Sequence, residues 1–278
     1  MPFGRAMTGR MGIGVLLLAA GLAACESAPI TGRSRLAPIG DQQLRAQAEQ
    51  LYQQELSKHT LSTNSEYKAL VERVGRRIAQ AAETPPEQLW RAPNFDWEFN
   101  VIDEPGVINA YCLPGGKIAV YTGLFPVSRD EAGLAIVMGH EVAHALMRHH
   151  GERLADQMAI ATTTTIGGAV LGAIIGGEDN RTTGAVAGAG LAIAGNMLLL
   201  NFSRTQESEA DRVGLILAAH AGYDPRAAVG LWQRMRAANS GSGRPPEFLS
   251  THPAEETRIA DIRRHLPEAL QYYRGKEE

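Results

Sequence analysis

His140 and His144 stand four residues apart in the run His140-Glu141-Val142-Ala143-His144. On a helix that spacing puts both imidazoles on one face, about one turn apart, so both reach a single cation. Glu141 is rotated about 100° from His140. There it leans over the cation and touches a bound water instead of ligating. Zinc suits imidazole ligands and keeps a fourth position open for that water. The chemistry implied is hydrolysis of a peptide bond, with Glu141 as the general base that takes the water's proton and hands it to the leaving amine. The pattern alone is short enough to arise by chance. Its context strengthens it, because it lies inside an apolar run, Ala132 to Met147, that begins with a helix-capping sequence.

A third ligand must come from elsewhere, and two candidates are present. His150 occupies the place where one peptidase class puts a third His after a glycine turn, but residue 147 is Met, which tolerates positive φ poorly. If the helix continues, His149 and His150 point away from the metal as surface or outer histidines. The second candidate is Glu207-Ser208-Glu209-Ala210-Asp211, where Glu207 and Asp211 share a helix face beside the apolar stripe Ala210, Val213, Gly214 and Leu217. That arrangement suits Glu207 as a ligand and Asp211 as the acceptor of a histidine's free ring N–H. Glu209 faces elsewhere and reads as solvated. The expected cofactor is one Zn2+ per chain, held by His140, His144 and Glu207.

These elements need a scaffold. Residues 41–58 form a polar helix candidate. Thr63-Asn64-Ser65-Glu66 reads as a capping box opening a helix to about Ala82. Trp97 to Ile102 and Lys117 to Tyr121 read as short strands, the second after a Gly115-Gly116 turn. Ser128-Arg129-Asp130-Glu131 is a further capping box, opening the histidine helix to about His149. Ser203-Arg204-Thr205-Gln206 caps another to about Ala221, and Pro253 starts the last. The expectation is an α+β, mostly helical fold with a small β-sheet and the metal site between helices.

The first 24 residues read as a lipoprotein signal peptide. Arg5 and Arg10 precede a short apolar run, and Leu22-Ala23-Ala24-Cys25 resembles a lipobox in which Cys25 is acylated. Residues 25–40, rich in Pro, Gly and Ser, read as a tether. Residues 41–278 then form one domain with an uncharged Gly/Ala-rich insertion at about 160–203, read as a hairpin near the site or as a membrane contact. With Cys25 acylated, Cys112 has no disulfide partner and reads as a buried hydrophobe. The formal charge of -3 argues against nucleic acid as a partner.

Four segments, in order, make the chain resemble the gluzincin family of HtpX-like and CAAX-prenyl-protease-like metallopeptidases, in particular soluble periplasmic BepA-like members. They are Asn109-Ala110-Tyr111-Cys112-Leu113-Pro114-Gly115-Gly116, the histidine motif, Ser203-Arg204 with Glu207 to Asp211, and Ser250-Thr251-His252-Pro253 with Arg258. They cover roughly residues 60–265. Cys112 stands where relatives often carry another small residue, and with residue 278 following the last helix closely, no helical-repeat extension of the BepA kind is expected. The resemblance implies a zincin-like peptidase domain, Glu207 as the ligand that completes the zinc site, and His252 near the active site. His252 then acts as a donor to the developing oxyanion or as a fourth, inhibitory zinc ligand in the resting state. Gly115, Gly116 and the strand after them are read as an edge to which a peptide substrate adds, with Asn109 donating to a substrate carbonyl. Tyr111, Tyr121 and Tyr223 are each able to supply a hydroxyl. The function expected is endopeptidase cleavage of exposed or misfolded cell-envelope polypeptides by a bacterial outer-membrane lipoprotein facing the periplasm, with outer-membrane assembly machinery as a further partner. A chaperone-like assembly factor with little proteolysis and an integral membrane peptidase are the rival readings; an intact ligand set with Glu141 favours the enzyme.

Overall fold

The computed structural model describes residues 25–28, 30–36, 39–157, 197–241, 247–252 and 257–274. It is mostly helical with a small mixed sheet, in line with the fold class expected. Of the uncharged insertion, residues 158–196 lie outside the described residues, as does Pro253. Among the described residues no helix is long and apolar enough to cross a membrane.

The segment read as a tether contains a hairpin. β1 (Cys25–Ser27) pairs antiparallel with β2 (Ser34–Leu36). Its side chains have distant partners: Arg33 donates to the half-buried Glu152 and the buried Glu209, and Arg35 donates to the Met147 carbonyl. Two arginines with such partners hold a stretch whose composition alone suggests a linker.

α1 (Asp41–Lys58) buries Leu44, Ala48, Leu51 and Tyr52, spaced as one helical face, and the Tyr52 hydroxyl donates to the Ile118 carbonyl at 2.7 Å. α2 (Ser65–Glu83) is capped by Asn64, whose Oδ1 accepts from the Glu66 and Tyr67 amides; Thr63 does not take that role. β3 (Glu98–Ile102), β4 (Ala110–Leu113) and β5 (Lys117–Tyr121) form a sheet of order β3-β5-β4, with β5 parallel to β3 and antiparallel to β4. β5 is therefore central, not an edge. Every residue of β4 is buried, so it lacks the polar alternation that marks a half-exposed strand.

α3 (Phe125–Ser128) is a single turn before α4 (Glu131–Leu146), the histidine helix. Ser128 closes α3, and Asp130 caps α4 by accepting from the Gly133 amide. From Gly133 to Leu146 every residue of α4 is buried, which explains its apolar character on all sides. α4 ends at Leu146, short of His149. Arg148 takes φ 57°, and α5 (149–157) resumes in a new direction. The turn is held by Arg148, whose Nε pairs with Asp41 at 2.8 Å and whose Nη2 donates to the Ile39 carbonyl. α6 (Arg204–His220) opens with a complete capping box, Ser203 and Gln206 each bonding the other's backbone amide. α7 (Ala227–Gly241), α8 (Glu247–Thr251) and α9 (Arg258–Ala269) follow.

α4 and α6 cross at two glycines. A Cβ on Gly139 would sit 2.8 Å from the Gly214 carbonyl oxygen, and one on Gly214 would sit 2.8 Å from the His140 amide nitrogen. Only residues without a side chain allow this approach, and it brings the acids of α6 within reach of the α4 histidines.

Candidate active site

His140, His144, Glu207 and His252 converge, with one ligand atom from each lying within 4.8 Å of all the others, and all four residues are buried. His140 Nε2 is 3.1 Å from His144 Nε2, 3.3 Å from His252 Nδ1 and 3.5 Å from Glu207 Oε2. Glu207 Oε1 is 3.3 Å from His144 Nε2 and 2.9 Å from His252 Nδ1. A tetrahedral zinc with bonds of about 2.0–2.1 Å spaces its donor atoms about 3.3–3.4 Å apart. The observed separations fall close to that value. Lone pairs of three ring nitrogens and a carboxylate facing one point repel unless a proton or cation lies among them, so the donor set fits a metal.

Each α4 histidine has an outer partner on its second nitrogen. His140 Nδ1 lies 3.0 Å from Asp211 Oδ1. His144 Nδ1 lies 2.9 Å from His149 Nδ1, and His149 Nε2 lies 3.1 Å from Glu209 Oε2. If His144 presents Nε2 to a metal, its Nδ1–H donates to His149, and His149 Nε2–H donates to Glu209. Glu209 also accepts from Thr31 Oγ1 at 2.7 Å and from Arg33. The picture of Glu209 as solvated and of His149 as pointing away is thereby corrected. Both are buried, because the left-handed turn at Arg148 swings His149 back under His144. His150 is buried too, away from the donor cluster and edge-on to Phe202.

Burial works against charge on His140, but Asp211 and Glu207 outweigh it and lift its pKa to about 9. Burial works the same way on His144 and wins, leaving it well below the usual range. Glu207 is held well below the usual carboxylate range: burial opposes this, but His252 and Arg258 favour its charge. Arg258 is the counterion that sequence reasoning left without a role. It donates to Glu207 Oε2 at 2.7 Å and to Asp211 Oδ1 at 2.8 Å, and its guanidinium sits 3.6 Å over the Trp232 ring. A single buried cation thus serves both acids.

Glu141 is also buried, and burial raises its pKa. Among the described residues its Oε1 has no hydrogen-bond partner; His252 Nε2 comes no nearer than 3.5 Å. A buried carboxylate with an unused acceptor and a raised pKa suits proton abstraction near neutral pH. Glu141, His252, Asn109, Tyr111 and Tyr121 line one cleft of about 350 Å³. Tyr223 lies elsewhere, under the Arg77 guanidinium. Gly115 and Gly116 form the turn at the far end of the β4–β5 hairpin and do not line the cleft. Gly116 has φ 85°, and a Cβ there would meet the Trp97 ring at 2.8 Å, so a tight turn accounts for it. The strand beside the cleft is β4, which contributes Ala110 and Tyr111.

The family model described as Peptidase family M48 matches residues 44–266. The chain is 33% identical over 255 residues to Mitochondrial metalloendopeptidase OMA1 of Schizosaccharomyces pombe, covering 88% of this chain and 67% of that protein. It is 32% identical over 252 residues to Metalloendopeptidase OMA1, mitochondrial, of Homo sapiens, covering 88% of this chain and 46% of that one. Beta-barrel assembly-enhancing protease of Escherichia coli is 35% identical over 156 residues, which is 56% of this chain and 32% of that protein. The chain therefore spans two thirds of the fission-yeast relative and less than half of the human one. The expected location, a bacterial outer-membrane lipoprotein facing the periplasm, is overturned: relatives that match 88–89% of the chain carry names that place them in mitochondria. The likeness to the bacterial assembly protease, on which that location leaned, is the partial one. Sharing about a third of its residues with those relatives, and matching the family model from residue 44 to 266, the chain is a metallopeptidase that belongs to peptidase family M48.

Proposed function

We propose that this chain is a zinc-dependent endopeptidase that cuts exposed or misfolded polypeptide segments, a quality-control activity. The observation that carries the reading is the meeting of cleft and donor cluster at His252: Glu141, whose buried Oε1 has no hydrogen-bond partner among the described residues, lines the cleft together with His252, which is itself one of the four converging donors. The name metalloendopeptidase borne by the relatives supports it.

His140, His144 and Glu207 would hold the zinc, and a bound zinc supplies a Lewis acid that polarises water and the substrate carbonyl. Glu141 takes the proton of the attacking water and delivers it to the leaving amine. Asp211 and His149 fix which nitrogen each α4 histidine presents. An extended substrate adds to the β4 edge beside the cleft, where backbone groups of Ala110 and Tyr111 hold its register and Asn109 donates to a carbonyl. His252 would be the fourth donor of a resting state, a role supported by its Nδ1 lying 2.9 Å from Glu207 Oε1 and 3.3 Å from His140 Nε2. Acylation of Cys25 as a membrane attachment is a separate part of the proposal, supported by the basic, apolar and small-residue order ahead of it; mass spectrometry of the mature N-terminus decides it. A partnership with assembly machinery has the 156-residue match to the E. coli relative as its support.

The test uses purified chain, a denatured protein substrate and elemental analysis. Glu141→Gln is expected to keep its zinc and lose cleavage by about 100-fold or more. Cleavage by this variant at the wild-type rate would overturn the mechanism.

A further inference from the structure

A second cavity, of about 510 Å³, shares no lining residue with the substrate cleft. Four arginines line it, Arg35, Arg45, Arg91 and Arg148, against one lining acid, Asp41. The chain as a whole is acidic, with a formal charge of -3, so this concentration of positive charge is local.

Among the described residues, Asp41 meets one of these charges and the other neighbouring acids are engaged elsewhere. Asp41 pairs with Arg148 at 2.8 Å. Glu83 is occupied by the Asn94 and Phe95 amides and the Trp97 indole, each at 3.0 Å. Glu49 and Asp96 both bind Lys117, at 3.0 Å. Arg45 donates to the carbonyls of Asn94 and Pro93, at 3.1 and 2.9 Å, so its charge meets dipoles there and not an anion. The bond to the Met147 carbonyl accounts for Arg35, and the contacts with Asp41 and the Ile39 carbonyl account for Arg148. Neither accounts for Arg45 on α1 or Arg91 in the loop before β3.

We propose that this cavity is a binding site for a phosphate-bearing anion. Guanidinium forks match phosphate oxygens in pairs, which a compact ammonium does not. The volume falls in the range of small-molecule sites and exceeds what one bare phosphate fills. Leu44, Phe95 and Leu146 give it an apolar wall beside the charges, so the ligand is a diphosphate or a phosphate ester with some carbon attached. A free phosphate compound and a lipid headgroup share this chemistry. Occupancy bears on the metal helix, because Arg35 holds the Met147 carbonyl and Arg148 holds the turn that places His149. The proposal stands on this cavity alone and does not depend on the peptidase reading.

The experiment is calorimetric titration of the full chain at low salt with two probes, inorganic pyrophosphate and the soluble short-chain lipid dihexanoylphosphatidylglycerol. Submillimolar binding of at least one probe is expected. Arg45→Gln combined with Arg91→Gln should weaken it by about tenfold or more, whereas Arg76→Gln, on an exposed part of α2, should not. Pyrophosphate binding without lipid binding identifies a free phosphate compound as the source, and the reverse identifies a headgroup. Thermal melts confirm that the variants fold. If loss of the Arg45 hydrogen bonds unfolds the pair, Arg91→Gln alone, at an exposed position, carries the comparison. Binding of neither probe, or equal binding by wild type and variants, overturns the proposal.

Discussion

His149 Nδ1 lies 2.9 Å from His144 Nδ1, and through its other nitrogen His149 reaches Glu209 at 3.1 Å. The two histidines belong to different helices, joined by a left-handed residue, and the acid beyond them is anchored by Thr31 and Arg33 of the N-terminal hairpin. Metal affinity should therefore depend on residues that never touch the metal. His149→Phe fills the same space but accepts no proton from His144. It is expected to lower zinc affinity by about 10–100-fold, as loss of an outer partner does. Competition with a chromogenic chelator measures this. Wild-type affinity in the variant would show that the contact with His144 has no orienting role.

The same network makes a forecast about acid. Burial works against the Glu209 carboxylate, yet hydrogen bonds from His149, Arg33 and Thr31 bring its pKa from 4.5 down to about 2. A group whose folded pKa is depressed stabilises the fold fully above its unfolded pKa and loses that contribution as pH falls through the folded one. The window is therefore from about pH 4.5 down to about 2. In chelator-treated protein, where metal loss plays no part, wild type should lose roughly 2 kcal/mol across that window through this group. Glu209→Gln should start less stable and decline less. Parallel urea-melt profiles for the two proteins would remove Glu209 from the account.

The Gly139–Gly214 crossing is open to a direct test. A methyl group at residue 214 would sit 2.8 Å from the His140 amide nitrogen and 2.9 Å from its Cα. Backbone does not yield as a side-chain tip does, so the helices must part. Gly214→Ala is expected to cost roughly 1–3 kcal/mol in urea melts. It should also weaken zinc retention, since Glu207 and Asp211 ride on the helix that moves. An alanine variant with wild-type stability and wild-type metal content would mean that the close crossing is not needed.

What the sequence makes legible follows from the range of each interaction. The Ser203–Gln206 capping box and the strand at Lys117 to Tyr121 are local, and both are present as read. β4 escapes notice because four fully buried residues give neither polar alternation nor length, whereas the equally buried β5 is announced by the Gly115-Gly116 turn before it. The stop of α4 at Leu146 escapes because it depends on Arg148 finding Asp41 and Ile39, more than a hundred residues earlier. Glu209 reads as solvated for the same reason: nothing within its own helix announces Arg33, 176 positions away. The alignment of His140, His144 and Glu207 is a matter of helix faces and is open to sequence reasoning. That Arg258 bridges Glu207 and Asp211 is known only from the packed structure.

On the proposed reading, His252 decides whether the site at rest is open or closed. Its ring is held between Phe248 and Phe202, with centroids 4.7 and 5.4 Å away and planes inclined by 27° and 28°. Its amide donates to the Phe248 carbonyl at 2.9 Å, which ties it to α8. In that slot Nδ1 lies 2.9 Å from Glu207 Oε1 and 3.3 Å from His140 Nε2, where a fourth donor would be. A catalytic zinc site keeps three protein ligands and leaves the fourth position to water. If His252 ligates there, as proposed, the water that Glu141 would deprotonate has no place, and cleavage would wait on displacement of the ring. His252→Ala should therefore retain zinc through His140, His144 and Glu207 while its basal cleavage of a denatured substrate rises. His252→Phe keeps the stacking between Phe248 and Phe202 but has no donor atom, and it should behave in the same way; this separates ligation from packing. A fall in kcat with zinc retained in both variants would instead assign His252 to the oxyanion that forms on the substrate carbonyl. Unchanged cleavage and unchanged zinc affinity in both would leave it with a packing role alone.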